Sequence, residues 1–194
     1  MSESTKDIFQ VAAWAVAVIA GLVTVWKAVA ELKRSTEQRK RDLRWRQAEM
    51  AKQFVDEILG HLEARAALKM LDWDGLKYKT SEGETTQPIT HQIRRASLRT
   101  VNTVFGPDDD GPFIRDAYDS LFDFLERLEH FIRIDLIRFE DVAPVLKYYV
   151  KKMALHDERE VIKGFLDGYG FTLAAAFLER FPEWPHESTD VSRT

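Results

Sequence analysis

The sequence predicts an all-α protein with an N-terminal transmembrane helix that continues into a long stalk helix and then a small cytosolic helical bundle. Three observations support this fold class. Residues 8–26 form an uncharged apolar run, a basic segment follows it without a helix breaker, and the remaining chain repeats apolar residues at helical spacing. An anchor of about 26 residues leaves room for one domain of ordinary size.

The apolar run contains no charged residue, and its polar side chains are those of Gln10 and Thr24. A helix of this length covers about 28 Å, close to the roughly 30 Å hydrocarbon core of a bilayer. A cleavable signal peptide would carry its positive charge before the run, whereas here the charge follows. A surface helix would need a polar face, and a buried core helix is usually shorter or carries a charge. We therefore predict a transmembrane helix over residues 8–26.

The charge distribution predicts the orientation of this helix. Residues 27–52 hold nine Lys/Arg against four Asp/Glu, a net of +5, whereas residues 105–194 hold eleven against nineteen, a net of −8. Because basic residues stay on the cytoplasmic side, residues 1–7 are predicted to be extracytoplasmic and residues 27–47 to form a basic juxtamembrane stalk. The stalk residues predicted to face anionic lipid are Lys33, Arg34, Arg39, Lys40, Arg41 and Arg44. Anionic lipid, and not nucleic acid, is the partner predicted for the stalk because the basic segment adjoins the span.

Small residues recur within the predicted span at a spacing of four. Ala13, Ala17 and Gly21 share one helical face. Residues of this size allow two membrane helices to approach closely. The pattern predicts self-association through this face, although alanine and glycine are also common in spans that do not associate.

The cytosolic domain is predicted to cover residues 48–181. An apolar stripe begins at Ala48, so we expect one long helix, or two abutting helices, from about residue 7 to about 71. Residues 72–89 are rich in turn formers and predict a loop with one short extended piece at 76–78. Thr90 is placed to cap a helix over residues 91–105.

The second half of the domain is predicted to contain four helices. The amphipathic segment 113–133 has Ala117, Leu121, Phe124, Leu128 and Phe131 on one side. Glu140 and Asp141 open the next helix, with Pro144 near its start. Asp157 and Glu160 predict a capping box for a helix over residues 158–167. A last helix covers residues 171–181, and residues 182–194 are predicted to be a flexible tail.

An acidic face on the 113–133 segment is the clearest candidate for a site. It comprises Asp116, Asp119, Asp123, Glu126 and His130, at spacings of three and four. One interpretation of such a face is a metal-binding site. A di-iron bundle, however, needs a Glu-x-x-His pair on each of two helices, and the sequence lacks this pattern. The alternative is a solvated face, or one that pairs with Arg94, Arg95 and Arg99 on the preceding helix.

Other chemistry has little support in the sequence. The chain lacks cysteine, which excludes disulfides, thiolate zinc sites and thiol nucleophiles. It also lacks a phosphate-binding glycine loop, a Gly-x-Ser-x-Gly elbow and a kinase signature. The acids at 72, 74 and 108–110 lack the spacing of a calcium loop and are interpreted as turn residues. We predict no catalytic residue, cofactor or metal, and therefore a protein that is not an enzyme.

The chain resembles a group of uncharacterised bacterial proteins. The resemblance is carried by the run from Ile114 to Glu129, by the segments 134–137 and 140–142 that follow it, and by Leu71-Asp72-Trp73. Proteins of this group have one N-terminal span, a charged helix and a small helical domain. The resemblance covers most of the chain and implies an all-α cytosolic domain without established catalysis. Some members are associated with phage-defence loci.

The leading functional hypothesis is a non-enzymatic interaction, regulatory or effector module at the bacterial inner membrane, with its N-terminus outside and its body in the cytosol. Its partner is predicted to be an unidentified protein or a second copy of the chain. One alternative is a membrane-tethered, metal-dependent hydrolase that uses Asp116, Asp119, Asp123 and His130. Another is a structural subunit of a larger membrane complex.

Overall fold

A computed structural model describes residues 3–80, 83–99, 105–106 and 109–184, with the side chains of residues 3–20 and 22–25 excluded. The chain divides into two compact units, Met1–Arg46 and Gln47–Thr194. The division lies one residue before the sequence-predicted boundary between stalk and body. Most of the described chain is helical, which confirms the all-α prediction at the level of fold class.

The described part of the first unit is helical and lies within α1. Helix α1 covers Glu3–Gly60, so its last turns belong to the second unit. From Trp26 to Arg46 nearly every side chain is exposed. Within the described residues, no helix combines the length and the apolar character needed to cross a membrane. Apart from Gly21 and Trp26, the span predicted over residues 8–26 falls on side chains outside the described part, so the span stays a prediction.

The second unit contains, after the end of α1, six further helices among the described residues. The predicted alternative of two abutting helices is confirmed, because α1 ends at Gly60 and α2 begins at Leu62. The His61 side chain caps α2 by accepting a hydrogen bond from the Ala64 amide at 3.4 Å. The helices are α2 (Leu62–Asp72), α3 (His91–Arg99), α4 (Gly111–Arg133), α5 (Phe139–Met153), α6 (His156–Tyr169) and α7 (Thr172–Glu179).

Helix α4 forms the centre of the body and packs against α2, α3 and α7. Its apolar stripe is buried as predicted at Ala117, Leu121, Phe124 and Leu128, while Phe131 is half-buried. Phe54 of α1 contacts Phe124 and Phe131 edge to face, with ring centroids 5.9 and 5.7 Å apart. The apolar stripe of α4 is wide enough for several helices to pack against it, so α4 lies at the centre of the core.

A small hairpin modifies the all-helical prediction in the segment between α2 and α3. Strands β1 (Lys79–Thr80) and β2 (Gly83–Glu84) pair antiparallel, and Leu76 forms a bridge with Ile89. The extended piece expected at 76–78 is therefore part of a longer paired segment. Gly75 has a φ of +74°, which favours glycine and lets the chain turn out of α2 into the hairpin.

Two helix starts differ from the sequence predictions, and one predicted cap is confirmed. Helix α6 begins at His156 after Leu155, without a side-chain cap, so the Asp157–Glu160 capping box is wrong. Asp157 instead lies within the first turn, and its carboxylate pairs with Arg95 of α3 at 3.1 Å. The cap by Thr90 is confirmed, since its hydroxyl accepts from the Ile93 amide at 3.2 Å, although α3 is described only to Arg99. Helix α4 begins two residues early, with Pro112 in its first turn.

The predicted flexible tail differs at its start. Trp184 is buried in the core beside Phe181, and Glu183 pairs with Lys147 at 2.8 Å. Burying an indole ring removes a large apolar area from water, which fixes the chain beyond the last helix. Residues 185–194 lie outside the described part.

Candidate interaction surfaces

The basic stalk is exposed in the structure. Its six predicted residues all lie in α1, and no ion pair involves any of them within the described part of the chain. Trp26 and Trp45 are each 72% exposed, and Val29, Leu32 and Leu43 are also exposed. The stalk therefore presents cationic and apolar side chains together.

The small-residue face is described only at Gly21. That residue is exposed, and a Cβ placed there would meet no atom within 4 Å. The side chains of Ala13 and Ala17 lie outside the described part. Association of two helices through this face stays a prediction.

The structure divides the predicted acidic face of α4 into different environments. Asp116, Asp123 and His130 are exposed, whereas Asp119 and Glu126 are half-buried. The Glu126 carboxylate accepts a hydrogen bond from the Leu173 amide at 2.8 Å. That amide belongs to the first turn of α7, so Glu126 stabilises a helix start, and the freely solvated part of the face is smaller than predicted.

Asp119 has the most perturbed carboxyl group of this face. Burial raises its pKa to about 6, and the negative charges of Asp116 and Asp123 add to the rise against the opposing effect of Arg115. Its Oδ1 atom is buried without a hydrogen-bond partner in the structure. The carboxyl group therefore titrates close to neutral pH, unlike an ordinary surface aspartate.

A cation interrupts the acidic face. Arg127 lies over the Phe124 ring at 4.3 Å from its centroid and pairs with Glu57 of α1 at 3.4 Å. These residues line a groove of about 410 Å³, together with Asp123 and Glu126. The groove has side chains of both charges, so this face is not a uniform acidic strip.

The predicted pairing of this face with the arginines of α3 is wrong for Arg94 and Arg95. Arg94 is buried, donates to the Met70 carbonyl at 2.5 Å and pairs with Glu158 of α6 at 2.5 Å. Arg95 pairs with Asp157 and lies 3.8 Å from the Glu158 carboxylate. Both side chains lie on the side of α3 that faces α6. Their partners therefore depend on how the two helices pack, which the spacing of residues along the chain does not reveal.

No group of three or more histidines and carboxylates is placed to hold a metal ion within the residues that the structure describes. This finding covers the residues of the alternative hydrolase, since the described part of the chain includes Asp116, Asp119, Asp123 and His130. The turn acids have structural partners instead. Asp74 accepts from the His91 amide at 2.5 Å, and Asp72 accepts from the Tyr148 hydroxyl.

Sequence reasoning missed a group of four cations, which we call the basic pocket. Arg65 and Lys69 of α2, with Lys77 and Lys79 of the hairpin segment, line a concavity of about 320 Å³. The sequence did contain a signal for each pair. Arg65 and Lys69 are four residues apart on a helix, and Lys77 and Lys79 are two apart in an extended segment, so the members of each pair lie on one side. Nothing in the sequence showed that the two pairs would meet.

No family model, curated protein or solved structure matches the chain. The resemblance to single-span bacterial proteins therefore depends only on the sequence motifs described above, chiefly the run from Ile114 to Glu129.

Proposed function

We propose that this protein is a single-span, non-enzymatic interaction module that acts at the bacterial inner membrane, with its N-terminus outside and its body in the cytosol. The observation that carries the proposal is the exposed basic stalk, which directly follows the apolar run in the sequence. Each basic residue near an anionic bilayer contributes about 1 kcal/mol of attraction.

The aromatic residues of the stalk support the same placement. Trp26 closes the apolar run and is exposed, which suits an indole ring at the membrane interface. The long stems of lysine and arginine can lie along apolar surface while their charges stay in water. A stalk of this composition fits the inner boundary of a bilayer better than open solvent.

The body supplies the surfaces for a protein partner. Its buried apolar side chains form one core, and the face of α4 around the groove presents Asp116, Asp123 and Arg127 to solvent. Charges of both signs at an exposed rim favour specificity and fast association over high affinity. We infer that the body recruits or regulates another protein, or a second copy of itself, through this face.

Membrane insertion is tested by fractionating cells that produce the full-length chain. The protein is expected to stay with the membranes after high-salt and alkaline washing and to be released by mild detergent. A chain lacking residues 1–30 is the comparison and is expected in the supernatant. If the full-length chain is released by salt alone, the span does not exist and the attachment is electrostatic.

Orientation is tested by changing the stalk alone. A variant with Lys33, Arg34, Arg39, Lys40, Arg41 and Arg44 replaced by glutamine keeps the apolar run but loses the charge bias. Protease added to spheroplasts is expected to spare the body of the native chain and to digest part of the variant population. Equal protection of both chains would show that the stalk does not set the orientation.

A role in phage defence is proposed from the resemblance alone. Plating efficiency of a phage panel on cells with the full-length chain, compared with the stalk variant, tests it. Equal plating on cells with and without the native chain would remove this role and leave the membrane module intact.

A further inference from the structure

We propose that the basic pocket is a binding site for a phosphate-bearing anion. This site is separate from the stalk and from the acidic face, and it goes beyond the proposed function. The ligand class follows from the charge, the shape and the rigidity of the pocket.

Two elements bring the four cations to one concavity. Arg65 and Lys69 are four residues apart on α2, so both point to the same side of the helix. Lys77 and Lys79 flank Tyr78 in an extended segment, and all three residues line the depression, with Tyr78 buried. The contact between α2 and β1 holds the two pairs across the same depression.

The charged side chains that line the pocket are cationic. No carboxylate is among the described residues that line it, and none of the four cations takes part in an ion pair within the described part of the chain; Glu84 is the cross-strand partner of Lys79 outside the lining. Like charges that share a concave surface repel each other, and an anion between them removes this repulsion. A guanidinium group and three ammonium groups supply many N–H donors, which suits the several oxygens of a phosphate or pyrophosphate group.

Apolar side chains also line the pocket. They are Leu62 and Ala66 of α2 and Leu76 of the hairpin segment. The volume of about 320 Å³ is at the lower end of the range for small-molecule sites. Apolar lining of this kind accommodates the organic part of a phosphorylated molecule, so we expect a phosphorylated small molecule or the phosphate headgroup of a lipid, which share this chemistry.

The hairpin side of the pocket is held in place by hydrogen bonds that the ligand does not need to supply. The Tyr78 amide donates to the Thr85 hydroxyl at 3.2 Å, and the Ile89 amide donates to the Leu76 carbonyl at 2.8 Å. Asp110, at the start of α4, accepts from the Thr86 amide and hydroxyl and from the Gln87 amide at 2.9, 2.8 and 3.1 Å. A preformed pocket keeps the entropy cost of binding low.

Calorimetric titration of the full-length chain in detergent with pyrophosphate tests the site. The variant Arg65→Ala/Lys69→Ala is expected to bind pyrophosphate at least tenfold more weakly than the native chain. The matched control is Arg99→Ala/Lys151→Ala, which removes one arginine and one lysine from exposed positions outside the pocket and is expected to bind normally. The variant Lys77→Ala/Lys79→Ala repeats the test from the hairpin side without altering a helix, and circular dichroism confirms that each variant is folded.

A second arm identifies the source of the phosphate. Titration of the full-length chain in detergent with short-chain phosphatidic acid, and with short-chain phosphatidylcholine as the reference lipid, is compared between the native chain and the pocket variants. Pocket-dependent binding of pyrophosphate supports a soluble phosphorylated ligand, and pocket-dependent binding of phosphatidic acid alone supports a lipid headgroup. The proposal is overturned if the pocket variants and the control lose binding equally, or if neither probe binds in a pocket-dependent way.

Discussion

Arg180 holds the Glu129 carboxylate at two points across 51 residues of sequence. Its Nε donates to Oε2 at 2.7 Å and its Nη2 donates to Oε1 at 2.9 Å. Arg133 adds a third hydrogen bond at 2.8 Å from within α4. Burial alone raises the pKa of Glu129, but the hydrogen bonds from Arg180 and Arg133 outweigh it and hold the pKa below its ordinary value.

Replacing Arg180 by alanine is expected to lower the free energy of unfolding by about 2 kcal/mol, because it leaves a buried carboxylate with one partner. This figure is below the range for fully buried pairs, since the Arg180 side chain is 36% exposed. Urea unfolding at pH 7, followed by tryptophan fluorescence, measures the change.

Arg133→Ala is the matched comparison on the same carboxylate. Its side chain is 52% exposed, so its loss is expected to cost less than the loss of Arg180. Equal costs would contradict the assignment of Arg180 as the principal partner. Because the folded-state pKa of Glu129 is lowered, its contribution is present above the unfolded pKa near 4.5 and is lost as pH falls through the folded value.

Asp119 has the opposite pH dependence. Its folded-state pKa is about 6 against 3.8 for the unfolded chain, so the folded state binds this proton more tightly. The resulting destabilisation is absent below pH 3.8, grows as the pH rises and is complete above about pH 6. Asp119→Asn is therefore expected to stabilise the chain by about 1 kcal/mol at pH 7.5, after allowance for solvent at this half-buried site, and to have little effect at pH 3.5.

Urea unfolding at several pH values between 3.5 and 7.5 measures this effect. Asp167→Asn removes an exposed carboxylate of α6 and is the control for a general change in net charge. A gain at pH 7.5 that persists undiminished at pH 3.5 would show that Asp119 acts through packing and not through its charge.

Arg94 and Glu158 form a buried ion pair that links α3 to α6. Removing one partner is expected to be severe, with Arg94→Met costing about 3–5 kcal/mol because Glu158 is then left charged and buried. Replacing both, as Arg94→Met/Glu158→Leu, is expected to recover most of this loss. Thermal unfolding of the two single variants and the double variant gives the coupling between them.

The coupling free energy between Arg94 and Glu158 is expected to be large because the pair is buried. Additive losses in the double variant would show that the two side chains act independently, and that the Met70 carbonyl is the important partner of Arg94. Glu57→Leu/Arg127→Met removes an exposed pair of the same charge types and is expected to change stability by less than about 1 kcal/mol.

Asp110 fixes the hairpin segment to the start of α4. Asp110→Ala removes three hydrogen bonds to Thr86 and Gln87, and hydrogen exchange at these two amides is expected to accelerate at least tenfold. Exchange in the core of α4, for example at Leu125, is the internal control and is expected to change little. Uniform acceleration across the body would mean that Asp110 supports global stability and not the segment.

The helices of the body could be predicted from the sequence alone. The apolar positions of α4 could be identified without the structure because a helix repeats every 3.6 residues, which is a property of neighbouring residues. The cap at Thr90 follows from the same local rules. The sequence left open whether one helix or two cover residues 7–71, and the structure ends α1 at Gly60. The predicted capping box at Asp157 is wrong because α6 begins at His156, which puts Asp157 inside the first turn, where its carboxylate pairs with Arg95.

Which charges meet depends on how the helices pack against one another. The pairing of Arg94 with Glu158, the use of Glu126 at the start of α7 and the meeting of Arg65 and Lys69 with Lys77 and Lys79 each join segments that local periodicity does not relate. The physical reason is that a charge takes the partner which packing brings within about 4 Å, and packing is set by the shapes of whole helices. The basic pocket was therefore absent from the sequence prediction, although all four of its cations were visible in the chain.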